Sequence, residues 1–127
     1  MMTTPILLSG TVVRGKALGR TVGMPTANLS VEKGTMPEDG VYATRIRIRD
    51  RIYTSVTNIG KRPTVDEESN ITVETHIIDF NDEIYGEQAV LEVHKFLRPI
   101  RRFDSLEAVQ KQVQNDIETA KIYFQEK

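Results

Sequence analysis

Along most of the chain apolar positions recur at every second residue in short runs, and near the end they recur at every third and fourth. The first pattern predicts strands between about residues 6 and 97; the second predicts a helix over about 104–124. Residues 6–14, ILLSGTVVR, are rich in branched side chains and suit a strand. In residues 41–49, VYATRIRIR, Tyr42, Ile46 and Ile48 fall on one face and Arg45, Arg47 and Arg49 on the other. Residues 52–58, IYTSVTN, read as the returning strand of a hairpin, with Asp50 and Arg51 as a two-residue turn that lacks the usual glycine. Residues 71–78 and 88–97 supply two more runs, the second with Leu91 and Val93 toward a core. From Asp104 the period changes: Leu106, Val109, Val113, Ile117, Ala120 and Phe124 form one apolar stripe, and Asp104 with Glu107 suggests a capping box. Short strands followed by one long helix predict a small antiparallel barrel, a single domain over 1–127, with the helix packed on it.

Composition narrows the classes. The 127 residues suffice for one core, and no cysteine is present, which removes disulfide frameworks, thiolate metal sites and cysteine nucleophiles. Seventeen basic against eighteen acidic residues leave a net charge of -1, which argues against a protein built to coat nucleic acid or an anionic membrane. No apolar run is long enough to span a bilayer and no leader opens the chain; MMTTP reads as a cut end, and a cytoplasmic domain is expected.

Candidate chemistry concentrates near the start. Gly10, Gly15, Gly19 and Gly23 are four of the eight glycines, and this density marks backbone that bends sharply or approaches a ligand. In the following MPTAN, Pro25 biases Met24 toward extended geometry, so Thr26 and Asn28 point one way and Ala27 the other. A hydroxyl and a carboxamide on one side are hard neutral oxygen ligands suited to Mg²⁺. The adjoining GKALGRTVG can aim backbone N–H groups, Lys16 and Arg20 at phosphate, although it is not a P-loop. On spacing alone, an ordinary turn is the stronger reading of these residues.

The ordered set of motifs is more specific than any one of them. GTVVRGKALGRTVGMPTANL, GVYAT at 40–44, NIGKRPTV at 58–65, VETHIIDF at 73–80, IYG at 84–86 and FLRPIRRFDSLEAVQKQVQNDIETA at 96–120 together resemble the riboflavin kinase family, over essentially the whole chain. The likeness is to the kinase module found in bacterial bifunctional riboflavin kinase/FMN adenylyltransferases, without the adenylyltransferase module. The resemblance implies a six-stranded antiparallel Greek-key barrel with a C-terminal helix. It implies Mg²⁺-dependent transfer of the γ-phosphate of ATP to the 5′-hydroxyl of riboflavin, giving FMN and ADP. By motif it places Gly15, Arg20, Thr26 and Asn28 around the nucleotide, Thr26 and Asn28 on the metal, and Glu74 as catalytic base. Arg98, Phe103 and Leu106 fall where the family holds the flavin. Met24 and Ile100 depart from the residues usual at their positions.

Other features carry less. As a bare residue, Glu74 on the polar side of a strand reads as solvated; only the resemblance reverses this. His76 and His94 lack metal-ligand spacing and read as structural or solvent-facing. The stripe Arg45, Arg47, Arg49, Arg51 with Tyr53 hints at a nucleic-acid groove, but the acidic run at 66–68 and the near-zero net charge favour a solvated face. Of Lys95, Arg98, Arg101 and Arg102, Arg98 is expected at the ligand and the others in solvent. The expected partners are riboflavin and ATP and their products, with an adenylyltransferase domain as the family's companion module, and neither nucleic acid nor membrane. The alternative is a flavin-binding regulatory module on the same fold without turnover.

Overall fold

The chain closes a β-sheet on itself. The computed structural model describes residues 5–13, 26–31, 36–61, 71–79 and 84–125. Its strands are β1 (Ile6–Val13), β2 (Ala27–Val31), β3 (Gly40–Ile48), β4 (Arg51–Lys61), β5 (Ile71–Ile77) and β6 (Gln88–Arg98), followed by one helix, α1 (Leu106–Gln125). The order around the barrel is β1-β2-β5-β4-β3-β6, and every neighbouring pair is antiparallel. β3, β4 and β5 form a meander and β6 returns beside β3, the Greek-key arrangement. Among the described residues every strand therefore has a neighbour on both sides, the β2–β5 seam being the shortest.

Alternation along each strand separates two cores. Leu8, Val12, Leu29, Ile46, Ile59, Val73 and Leu91 point into the barrel and are buried. The opposite face of β3 and β4 would be wet in an isolated barrel. Here Val41, Ala43 and Val56 are buried against Ala120 and Phe124 of α1. The barrel interior is not wholly apolar. The Thr44 hydroxyl lies 2.7 Å from that of Ser55 and 2.8 Å from that of Thr57, and Thr57 lies 2.9 Å from Thr75. All four side chains are fully buried, so this continuous hydroxyl chain satisfies its own polar groups across three strands. Tyr42 also points inward; its hydroxyl donates to the Glu38 carbonyl at 2.6 Å. Burial, then the nearby Glu38 and Asp39 carboxylates, raise its pKa above the ordinary phenol value.

Two irregularities shape the side that carries the helix. The β3–β6 register slips between Val41 and Tyr42 and again between Ala43 and Thr44, so β6 holds two extra residues, His94 and Leu97. Each bulge bends the strand and turns two consecutive residues toward α1. His94 and Lys95 thus both meet Tyr123, and Leu97 joins the helix-side core next to Arg98. At the other end of the sheet, a Cβ on Gly10 would lie 2.5 Å from the Ser30 carbonyl oxygen, so β1 and β2 approach this closely only because residue 10 has no side chain.

Three sequence expectations need correction. The hairpin turn is Arg49–Asp50, not Asp50–Arg51: Ile48 pairs with Arg51, and both turn residues have positive φ, 51° and 67°. The helix cap is Ser105 rather than Asp104. The Ala108 N–H donates to Ser105 Oγ at 3.1 Å and the Val109 N–H to its carbonyl at 3.2 Å, which makes Ser105 the N-cap and leaves Glu107 outside any capping box. Leu106, assigned to the apolar stripe, is 53% exposed, while Asp116 lies on the stripe and is buried.

The turn carries a test. A left-handed conformation costs a non-glycine residue on the order of 1 kcal/mol. Asp50→Gly is therefore expected to raise stability by about that amount, read as a higher denaturant midpoint with unchanged slope.

Candidate active site

Register places residues from five strands in one lateral row. Asn28 on β2 pairs with Glu74 on β5. Glu74 pairs on its other side with Asn58 of β4, Asn58 with Val41 of β3, and Val41 with Arg98 of β6. Cross-strand partners project to the same face with Cβ atoms about 5 Å apart. Their neighbours Ala27, Thr57 and Thr75 are buried inside, so the row lies on the outer, helix-bearing face. It runs from amide to carboxylate to amide and then to an apolar residue. Thr26 immediately precedes β2, half-buried, on the same side as Asn28 by alternation.

A cavity of about 260 Å³ opens over this row, between the sheet and the first half of α1. Val41, Val56, Ile100, Phe103, Val109 and Val113 form its apolar walls, and Asn58, Glu74, His76, Arg98, Arg101 and Asp116 supply the polar groups. The cavity exists because α1 meets the barrel unevenly. Ala120 and Phe124 are buried against it, whereas Val109 and Val113, one and two turns into the helix, only line the space. Phe124 is further held by the Arg45 guanidinium, 4.4 Å from its ring centre, and by the edge of His94 at 5.1 Å.

Arg98 and Asp116 set the depth of the gap. Arg98 Nε donates to both carboxylate oxygens at 3.0 and 3.1 Å, and Nη2 donates to Oδ2 at 2.8 Å. Gln112 Nε2 adds a donor to Oδ1 at 3.1 Å. The side chains are only 18% and 6% exposed. This fork-to-fork geometry fixes the helix both in distance and in rotation relative to β6. The Arg98 guanidinium also lies 5.8 Å from the centre of the Phe103 ring, and that of Arg101 5.5 Å away.

The riboflavin kinase (Flavokinase) family profile matches residues 2–124. The chain belongs to the riboflavin kinase family. The chain is 36% identical over 125 residues to the bifunctional riboflavin kinase/FMN adenylyltransferase of Haemophilus influenzae, covering 98% of the chain and 40% of that protein. It is 40% identical over 111 residues to the RNA-binding riboflavin kinase RibR of Bacillus subtilis, covering 87% of the chain and 48% of the relative. A crystal structure of a Streptococcus pneumoniae protein described as a macrolide-efflux protein superposes with a TM-score of 0.87 at 36% identity, over 92% of this chain and 38% of that one. The chain thus spans less than half the length of each of these proteins. Among the described residues, no helix of the kinase domain is long and apolar enough to cross a membrane.

The structure brings several of the expected site residues of the kinase domain together and leaves others apart. Asn28 and Glu74 are immediate neighbours, and Glu74, Arg98 and Phe103 share the cavity. Leu106 projects outward from the first helical turn and does not line it. Gly15, Arg20, Lys16 and Met24 lie outside the described residues. His76, expected to be structural or solvent-facing, lines the cavity beyond Glu74, and Arg101, expected in solvent, stands beside Phe103. Ile100 forms wall, its tip close against Gly60. Sequence reasoning missed Asp116 and Asn58. Asp116 carried a visible signal, an acid in step with Val109, Val113 and Ala120 on an otherwise apolar stripe.

Removing Asp116 alone strands a nearly buried guanidinium. Asp116→Ala is expected to destabilise the domain by about 3 kcal/mol. The double change Arg98→Met with Asp116→Leu should cost clearly less than either single removal, a difference measurable by chemical denaturation of the four proteins.

Proposed function

We propose that this domain transfers the γ-phosphoryl group of ATP to the 5′-hydroxyl of riboflavin, producing FMN and ADP. The observation that carries the reading is the pairing of Asn28 with Glu74 on one sheet face at the edge of a largely apolar cavity. Phosphoryl transfer needs a nucleophile held in line, charge neutralisation at phosphate and modest help with a proton. Glu74 accepts the proton of the ribityl hydroxyl while its oxygen forms the new bond to γ-phosphorus. The bond from γ-phosphorus to the β–γ bridging oxygen breaks, and ADP leaves.

The donor set beside Glu74 suits a hard cation. Thr26 and Asn28 offer two neutral oxygens, and among the described residues no group of three or more acidic or histidine side chains forms a closed cage. Mg²⁺ characteristically takes one or two protein oxygens and completes its shell with phosphate and water. Thr26 and Asn28 would hold it, and when bound it would offset the charge of the nucleotide phosphates. Gly15 and Arg20 would border the same phosphates. The apolar walls suit an aromatic heterocycle, with Phe103 against the ring. Arg98, committed to Asp116, contributes as a fixed wall.

The arginine stripe does not extend the proposal to nucleic acid. Arg45 is stacked on Phe124, and Arg49 bonds the Glu87 carboxylate at 3.1 Å. These contacts within the chain account for two of the four arginines.

Chromatographic detection of FMN after incubation with riboflavin, ATP and Mg²⁺ tests the activity. Tight flavin binding with no product would identify a binding module instead. Glu74→Gln is expected to lower kcat by about 10²–10⁴-fold while flavin binding persists; wild-type turnover in that variant would remove the base from the mechanism. Asn28→Asp adds a carboxylate next to Glu74 and is expected to change the Mg²⁺ concentration giving half-maximal rate. An unaltered Mg²⁺ titration would show that Asn28 does not meet the metal.

A further inference from the structure

Asn58 has no place in the scheme so far, yet it sits at the centre of the row. It is the direct partner of Glu74 on the side away from Asn28, and it lines the cavity that Asn28 does not reach. Its carboxamide is half-buried and, among the described residues, makes no side-chain hydrogen bond. This contrasts with the barrel interior directly behind it, where the Thr57 hydroxyl bonds those of both Thr44 and Thr75. Such an amide keeps its donors and its acceptor available to a ligand in the cavity.

We infer that Asn58 is the residue that recognises the secondary hydroxyls of the acceptor's polyol chain, and so selects a polyhydroxylated flavin over one with a plain alkyl chain. This rests on the kinase reading above. The order of side chains along the row gives the argument. Asn28 stands at the phosphate end, Glu74 at the hydroxyl that reacts, and Val41 begins the apolar wall that would meet the ring system. Asn58 lies between Glu74 and Val41, where the chain joining the reactive alcohol to the ring must pass. A carboxamide offers both donors and an acceptor, the set that matches alcohols, which also do both. A carboxylate there would repel Glu74 across the pair, and an apolar residue would leave the hydroxyls unsatisfied.

The test compares riboflavin with a flavin whose side chain keeps the terminal hydroxyl but has hydrogen at the secondary positions. Binding is read from quenching of flavin fluorescence without ATP, and kcat/KM from product formation with ATP and Mg²⁺. The wild type is expected to prefer riboflavin in both measurements. Asn58→Ala is expected to lose roughly tenfold toward riboflavin and little toward the deoxygenated flavin, so that the preference collapses. Asn58→Ser, which keeps a hydroxyl, should restore part of it. A wild type indifferent to the two flavins, or a variant that weakens both equally, would overturn the assignment. The preference is a ratio, which a general loss of fold would not alter selectively. If the wild type binds riboflavin selectively through Asn58 but forms no FMN, the kinase reading fails and the recognition role stands.

Discussion

The ion pair between Arg98 and Asp116 is the contact on which the ligand-facing geometry depends. One partner ends the last strand and the other sits midway along the helix, so the pair fixes how far α1 stands from the barrel where packing alone would not. Toward the C-terminus the helix closes onto β3 and β4 through Ala120 and Phe124. Toward the N-terminus Val109 and Val113 line the cavity instead. A bidentate bond resists both rotation and translation, so the space keeps its shape without being filled. The two sides of the cavity thus belong to different secondary structures yet are tied together.

The barrel and helix were legible in the sequence because their signals are periodic. Alternation in VYATRIRIR placed Tyr42, Ile46 and Ile48 inside, and the three-and-four spacing found the helix to within two residues. The errors came where period does not decide. Arg49 and Asp50 adopt left-handed backbone without glycine, because the pairing of β3 with β4 along their whole length dictates a two-residue loop. Ser105 and Asp104 are both good caps in principle, and side-chain chemistry alone does not choose between them.

The site was legible in a different way. Thr26 and Asn28 were raised by alternation and ligand chemistry, but Glu74 and its link to them came from motif resemblance, since an asparagine and a glutamate more than forty residues apart carry no pattern that links them. Their adjacency is a property of β2 inserting beside β5 rather than beside β3. Asn58 and Asp116 went unnoticed for opposite reasons. Asn58 lies in an ordinary alternating strand, where a polar outward residue raises no question. Asp116 broke an apolar stripe, but its partner lies eighteen residues away on another element.

The Greek-key closure also has a consequence for how the molecule comes into being. β1 pairs with β6 across some eighty positions of chain, and the row from Asn28 to Arg98 draws on strands two to six. During synthesis the meander of β3, β4 and β5 can zip up locally; its β5 flank pairs back to the earlier β2, while its β3 flank waits for β6. Distant pairings of this kind slow the search for the native state. The cavity, one wall of which is α1, therefore forms only once that helix packs on the closed barrel, and a molecule that binds there would meet the folded domain rather than a partial form.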